Sequence, residues 1–380
     1  MIFPDEFLLP GERSVRWALL SALRSAGFDF SDGDGFAGNG GESLRLPQAE
    51  RVCFLLVDGL GLRNLQDRSG HARTLRSLTS LEPLTSVVPS TTATAITALG
   101  TTAEAGQTSM LGYSLRSPYS GRPFSLIQWD DEGLDPRAWQ TVPTLFERLG
   151  EQAGLCRAVQ PSGHIHSGLS LCALRGMDSL PAETAGERVA AACQAFEQGA
   201  RFVYLYWGDV DKNGHRHGWT SQAWIEALEE LDRTVADLLH ALPAGTLLVI
   251  TADHGMLDVG ERIDMDDFPE LRRDIRMTAG EERAVQAYTD RPDEVCERWA
   301  NILGERALVL TQESAEQAGL FGEMTEQARE RGGDVFAFLR GRWALLDRRS
   351  RLNPQFPLQR GVHGSLTEYE MLVPFLADMV

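Results

Sequence analysis

Cysteine is scarce, and the five present, Cys53, Cys156, Cys172, Cys193 and Cys296, are odd in number and scattered without CxxC spacing. That argues against a disulfide framework or a thiolate metal site. No apolar run approaches the ~18 residues of a membrane span, so no membrane association is expected. The N-terminus, Met-Ile-Phe-Pro-Asp-Glu-Phe, lacks the basic start and unbroken apolar segment of a secretory signal, and the expected location is cytoplasmic. Positive charge is also in deficit. A net charge of −18 opposes binding to nucleic acid polymers or anionic membranes. A phosphate ester entering such a protein needs local cations, and bound metal ions would supply them.

What is present is the composition of a globular α/β protein, 43% hydrophobic and 8% aromatic, with no internal repeat and no Pro/Ser linker. An amphipathic segment, 14–26, is followed by a Gly/Asp/Ser-rich stretch, 31–42, that reads as a flexible surface loop. Apolar strands are expected at 51–59, 84–88, 153–160, 201–206 and 246–251. Helices are expected at 93–99 (ending at Gly100), 144–149, 184–197 and 221–242. This βαβ rhythm predicts an α/β fold with a mostly parallel central sheet and helices on both faces, in one domain spanning 1–380. Residues 259–345 read as a smaller inserted or C-terminal elaboration, with a hairpin-like segment over 335–346.

Chemistry-bearing residues collect at the ends of these strands. Asp58 closes the first strand, a polar turn carrying Asp209 and Asp211 with His215 follows another, and Asp253 with His254 follow a third. In an open parallel sheet the carboxyl ends of strands form the ligand crevice, so these groups should converge. Imidazole with carboxylate suits zinc or another first-row metal. Each piece also has an ordinary reading: a strand-end Asp caps the next helix, and a His beside Gly is simply exposed. Asp209 and His217 keep that ordinary reading. His164 and His166 form either a weak metal pair or a polar loop on the substrate side, and His71 and His240 are surface residues. The stretch Val87–Gly100 brings Pro89-Ser90-Thr91-Thr92 to a helix start, where hydroxyls face the positive end of the helix dipole. Taken alone, it reads as an ordinary Ser/Thr-capped helix.

Taken together, Leu56-Val-Asp-Gly-Leu-Gly61, Pro89-Ser-Thr-Thr92, Asp211-Lys-Asn-Gly-His215, Thr251-Ala-Asp-His-Gly255 and Gly361-Val-His-Gly364 resemble the alkaline phosphatase superfamily. Within it they resemble the nucleotide pyrophosphatase/phosphodiesterase branch. The motifs occur in that family's order over residues 56–364. The resemblance implies an alkaline phosphatase-like fold and two divalent metal ions, zinc with manganese as the alternative. Asp211, His215 and His363 would hold one ion, and Asp58, Asp253 and His254 the other. Thr92 would lie between them as ligand and nucleophile, passing through a phosphothreonine intermediate; Thr91 is its competitor. Where the branch has an asparagine that binds a phosphoryl oxygen, this chain offers Tyr113.

The resemblance thus implies a metal-dependent hydrolase of small phosphate esters, nucleotides among them, acting on phosphodiester or nucleotide pyrophosphate bonds. A phosphomonoesterase or phosphomutase of the same superfamily is the alternative, with Arg116 or Arg175 as extra cations for a dianion. A non-catalytic metal- and phosphate-binding protein is the reading from another class. Phe124, Trp129, Trp139 and Trp219 either stack on a base or pack in the core.

Overall fold

The computed structural model describes residues 3–30 and 44–380; the expected loop at 31–42 lies outside the described residues. Its centre is a seven-stranded sheet in the order Thr79–Ser80, Phe375–Met379, Thr246–Thr251, Arg51–Val57, Phe202–Trp207, Cys156–Gln160, Asp178–Pro181. Arg51–Val57 is the hub, parallel to Phe202–Trp207 on one side and to Thr246–Thr251 on the other. Both neighbours are continuous apolar runs, as strands covered on both faces must be. Only Phe375–Met379 runs against the others, pairing antiparallel both with Thr246–Thr251 and with the edge strand Thr79–Ser80. Helices cover the sheet, among them Ala185–Glu197, started by a Thr184/Glu187 capping box, and the 20-residue Gln222–Ala241.

A second sheet, antiparallel throughout, is built from Met277–Glu281, Ala284–Tyr288, Val335–Leu339 and Ala307–Thr311. The helix Pro292–Leu303 packs on it through Val295, Trp299 and Leu303, which belong to an apolar cluster separate from the main core. The expected hairpin over 335–346 does not form. Val335–Leu339 is bonded on both sides within this sheet, between Ala284–Tyr288 and Ala307–Thr311, whereas Trp343–Leu346 pairs in parallel with Glu261–Asp264, so the two strands take other partners than each other. The Met277–Tyr288 hairpin is fastened to the C-terminal segment by Arg283, whose guanidinium meets Glu370 at 2.8 Å with both side chains fully buried. Removing one partner of such a pair strands the other charge and costs about 3–5 kcal/mol.

Two local expectations are corrected. Gly100 does not end its helix, which runs Thr92–Thr101 and stops where Thr102 turns left-handed at φ 62°. Gly100 is glycine because a Cβ there would lie 1.9 Å from the Ala173 carbonyl oxygen of the neighbouring helix. The polar stretch after Trp207 is not a turn but the helix Asp209–His217.

Candidate active site

The site lies at the carboxyl ends of the three central parallel strands, where Asp58, the Asp209–His217 helix and Asp253-His254 follow directly on Val57, Trp207 and Thr251. Gly59, at φ +73°, turns the chain sharply after Asp58, and a Cβ on it would meet the Asp211 side chain at 2.8 Å. The glycine thus lets two acids from different strands approach each other. On the Asp209–His217 helix, Asp211 and His215 stand four residues apart and so share a face, with His215 Nε2 3.3 Å from Asp211 Oδ2.

Three imidazoles are held in one tautomer. His215 Nδ1 lies 2.8 Å from the Gly361 carbonyl, His254 Nδ1 3.0 Å from that of Gly255, and His363 Nδ1 2.9 Å from that of Ser90. A carbonyl only accepts, so in the neutral rings each Nδ1 carries the proton and each Nε2 presents a lone pair to the site. His363 Nε2 and His215 Nε2 then face each other at 3.2 Å as two acceptors. Asp211 Oδ1 and Asp253 Oδ2 are buried without any hydrogen-bond partner. Converging lone pairs and orphaned carboxylate oxygens are what a cation would satisfy, so the residues fit divalent metal ions.

Two sets of ligand atoms lie within 4.8 Å of one another: Asp211, His215 and His363, and Asp58, Asp211 and His254. The first is the set that the resemblance implied. In the second, Asp211 stands beside Asp58 and His254, while Asp253 borders it with Oδ2 3.5 Å from His254 Nε2. The opposite oxygen of Asp253 accepts from the Gly59 and His254 amides at 3.1 and 2.9 Å. Burial raises the carboxyl of Asp58 well above its ordinary range, helped by the charges of Asp253 and Asp211, and burial likewise raises that of Asp253. Burial, then the neighbouring His254 and His215, holds His363 well below its usual value and keeps it neutral. Acids crowded out of solvent beside neutral imidazoles again mark a cation's place.

Thr92 is the first residue of its helix rather than its cap, which leaves its hydroxyl free of the backbone. Its Oγ1 lies 3.1 Å from His254 Nε2 and 3.5 Å from Asp58 Oδ1. The hydroxyl of Thr91 is buried away from the ligand cluster's imidazoles and carboxylates and faces the Glu281 carboxyl, whose rise on burial it partly offsets. Ser90 is engaged structurally, donating to the Ser365 carbonyl at 2.6 Å and accepting from the Gly364 amide. The Pro89–Thr92 turn and the His363 loop are thereby locked together.

These groups open onto a cavity of about 830 Å³, far larger than one phosphoryl group. Tyr113 lines it, as do His164, Arg188, Lys212 and Glu281. Burial raises the Tyr113 phenol, which keeps it a hydrogen-bond donor, and the Tyr113 amide donates to Glu281 Oε2 at 3.0 Å. His164 packs edge-on against Tyr206 on the cavity wall, and among the described residues neither it nor His166 joins a metal-ligand group.

Other candidates fall away from the site. Arg175 is held by Glu147 and by the carbonyls of Gln140, Leu171 and Val142, and Arg116 lies over the Tyr288 ring, so neither lines the cavity. Phe124, Trp129 and Trp139 pack edge to face on one another, and Trp219 packs on Trp224 and Tyr369. His71 pairs with Glu229 at the surface, and Asp209 is bound by Arg188 at 2.8 Å. Sequence reasoning missed Tyr206, whose hydroxyl donates to Asp58 at 2.5 Å, and also Arg188 and Glu281. Tyr206 alone carried a signal, lying in the strand that ends at the acid-bearing segment.

The chain is 35% identical over 89 residues to ectonucleotide pyrophosphatase/phosphodiesterase family member 7 of Rattus norvegicus, an alignment that covers 21% of this chain and 20% of that one. It is 32% identical over 148 residues to a phosphopentomutase of Rhizobium johnstonii, covering 38% of this chain and 35% of the relative. The aligned stretches thus span only about a fifth to a third of these relatives. The fold is similar to that of murine ectonucleotide pyrophosphatase / phosphodiesterase 5, with a TM-score of 0.67 at 18% identity over 86% of this chain and 87% of that one. An inactive variant of the murine protein, in complex with AMP, superposes equally well, with a TM-score of 0.66 at 17% identity over the same shares. The model of the type I phosphodiesterase / nucleotide pyrophosphatase family matches residues 52–366, from the first central strand to just beyond His363, and the chain belongs to that family.

Proposed function

We propose that the protein hydrolyses phosphodiester or nucleotide pyrophosphate bonds at a two-metal centre, with Thr92 as nucleophile. The carrying observation is the position of Thr92 Oγ1, within 3.5 Å of both His254 and Asp58 at the floor of a large cavity. Asp211, His215 and His363 would hold one cation, and Asp58, Asp253 and His254 the other, with Asp211 near both. Nitrogen-rich ligation with carboxylates favours zinc, with manganese second. Divalent ions bound there supply positive charge for phosphoryl oxygens and acidify a nearby hydroxyl.

The chain's own residues do the rest. Thr92 Oγ gives up its proton and bonds to phosphorus as the ester oxygen departs with a proton, leaving phosphothreonine. Water then cleaves the phosphothreonine bond and regenerates the hydroxyl. The Tyr113 phenol donates to a phosphoryl oxygen. The AMP held by the structural relative supports a nucleotide as one substituent. The test is hydrolysis of bis-p-nitrophenyl phosphate against p-nitrophenyl phosphate, with a chelated control and added zinc or manganese. Faster diester cleavage that chelation abolishes is the expected result. Preference for the monoester would replace this reading with a phosphatase or mutase, the second reading that the phosphopentomutase relative favours.

A further inference from the structure

Lys212 is the only lysine in the sequence; every other basic side chain of the Lys/Arg type is arginine. It stands exposed on the first turn of the Asp209–His217 helix and lines the same cavity as Thr92. One other permanent cation lines that cavity, Arg188, and its charge is already neutralised. The Arg188 guanidinium bonds Asp209 at 2.8 Å and the Glu183 carbonyl at 3.1 Å, and lies 4.5 Å above the Trp207 ring. Lys212 has no carboxylate partner among the described residues.

The cavity runs from the ligand cluster past Gln160 and His164 to Arg188, which leaves room for a substituent well beyond the reacting phosphorus. Of the carboxylates on its lining, Asp209 is paired with Arg188, Glu282 with Arg262, and Glu183 accepts from Ser162. Lys212 is therefore the one unpaired permanent cation among the described lining residues that a second anionic group can meet. A lysine ammonium on its flexible stem binds phosphate as a mobile point charge and needs no fixed fork.

Resting on the function proposed above, we infer that Lys212 receives a second phosphate of the substrate and thereby selects phosphoanhydrides over diesters with uncharged arms. Hydrolysis of the P–O–P bond adds one water and releases two phosphate-bearing products, which from the α–β bond of ATP are a nucleoside monophosphate and pyrophosphate. Negative charge grows on the departing phosphate as the bond breaks, and the ammonium stabilises it there.

The test compares kcat/KM for ATP and for bis-p-nitrophenyl phosphate in the metal-loaded protein. Lys212→Met is expected to lower the ATP-to-diester ratio about tenfold, raising KM and lowering kcat together, as loss of a hydrogen bond to a charged group that gains charge in the reaction predicts. Lys212→Arg is expected to restore most of it, and an unchanged ratio in Lys212→Met overturns the inference. A second readout needs no turnover. Lys212 and the α-amino group are the primary amines available to N-hydroxysuccinimidyl acetate. Inorganic pyrophosphate is expected to slow acetylation of Lys212 severalfold relative to the α-amino group, and equal slowing overturns the assignment. Should the wild-type protein cleave neither ester, the proposed function fails, while the acetylation measurement still decides the role of Lys212.

Discussion

The two sides of the cavity are made differently. One is a corner of ligands hung directly on the ends of three parallel strands, with every imidazole tied to a backbone carbonyl. The other is a wall brought from a distance: Glu281 comes from the antiparallel hairpin, and Tyr113 leans on it from the loop after the nucleophile helix. On the function proposed above, the corner would carry the general chemistry of phosphoryl transfer, and the wall would decide what the phosphoryl group carries. Changes in the corner should abolish the reaction, and changes in the wall should grade it.

The largest effect is expected at Thr92. Thr92→Ala should keep its metal content and its fold while kcat falls by about 10³-fold or more, whereas Thr91→Ala should retain most activity. If the two results are exchanged, the nucleophile is Thr91 and the corner has been read one residue out of register. His363→Ala and Asp253→Ala should lose activity for another reason, by losing metal, as elemental analysis would record. The same loss has a thermal signature. Added zinc should raise the Tm of the wild-type protein with the logarithm of its concentration, and His363→Ala should show a much smaller rise.

The wall comes next. Tyr113→Phe removes the phenolic donor and leaves the ring, so kcat should fall about 10²-fold with metal content intact, the scale of one oxyanion donor. A drop of less than threefold would reduce Tyr113 to a packing role and leave phosphoryl recognition to the corner alone.

This contrast also explains what could be read from the sequence. Asp58, Asp253 and His254 were legible because a buried strand announces its own end, and in a parallel sheet all such ends point to one crevice. Asp211 and His215 were legible although their segment was taken for a turn. A spacing of four brings two side chains together on a helix, so the pairing survived the wrong local geometry. Four strands of the seven-stranded sheet followed from the same runs, whereas Thr79–Ser80, Asp178–Pro181 and Phe375–Met379 were not expected, and Leu84–Thr85 pairs outside this sheet. Glu281 and Arg188 were not legible as cavity residues, since each depends on which distant element packs beside it. Gly100 was misread for that reason: only the approach of Ala173 distinguishes a packing glycine from a terminating one. For the aromatics, base stacking and core packing were both open, and the edge-to-face partners of Trp129 and Trp139 decide for packing.

The smallest expected effect tests how the wall is fastened. Enclosure of the Glu281 carboxyl pushes it up to about 8, and its Oε1 is buried without a partner. In the unfolded chain the same proton leaves near the ordinary value of 4.5. Between these two values the folded protein binds the extra proton, so this group makes stability fall as pH rises through that window. Glu281→Gln preserves an acceptor for the Tyr113 amide and removes the titration. The variant should match the wild type near pH 4.5, gain on it steadily, and hold a lead of a few degrees in Tm above pH 8. A difference that stays constant with pH would mean that the carboxyl is already ionised in the fold, and that the hairpin is held to the nucleophile turn by an anion. In that case Glu281→Gln should also disturb Thr91 and the register of Thr92, and activity would fall together with stability. With a neutral carboxyl, the two readouts separate.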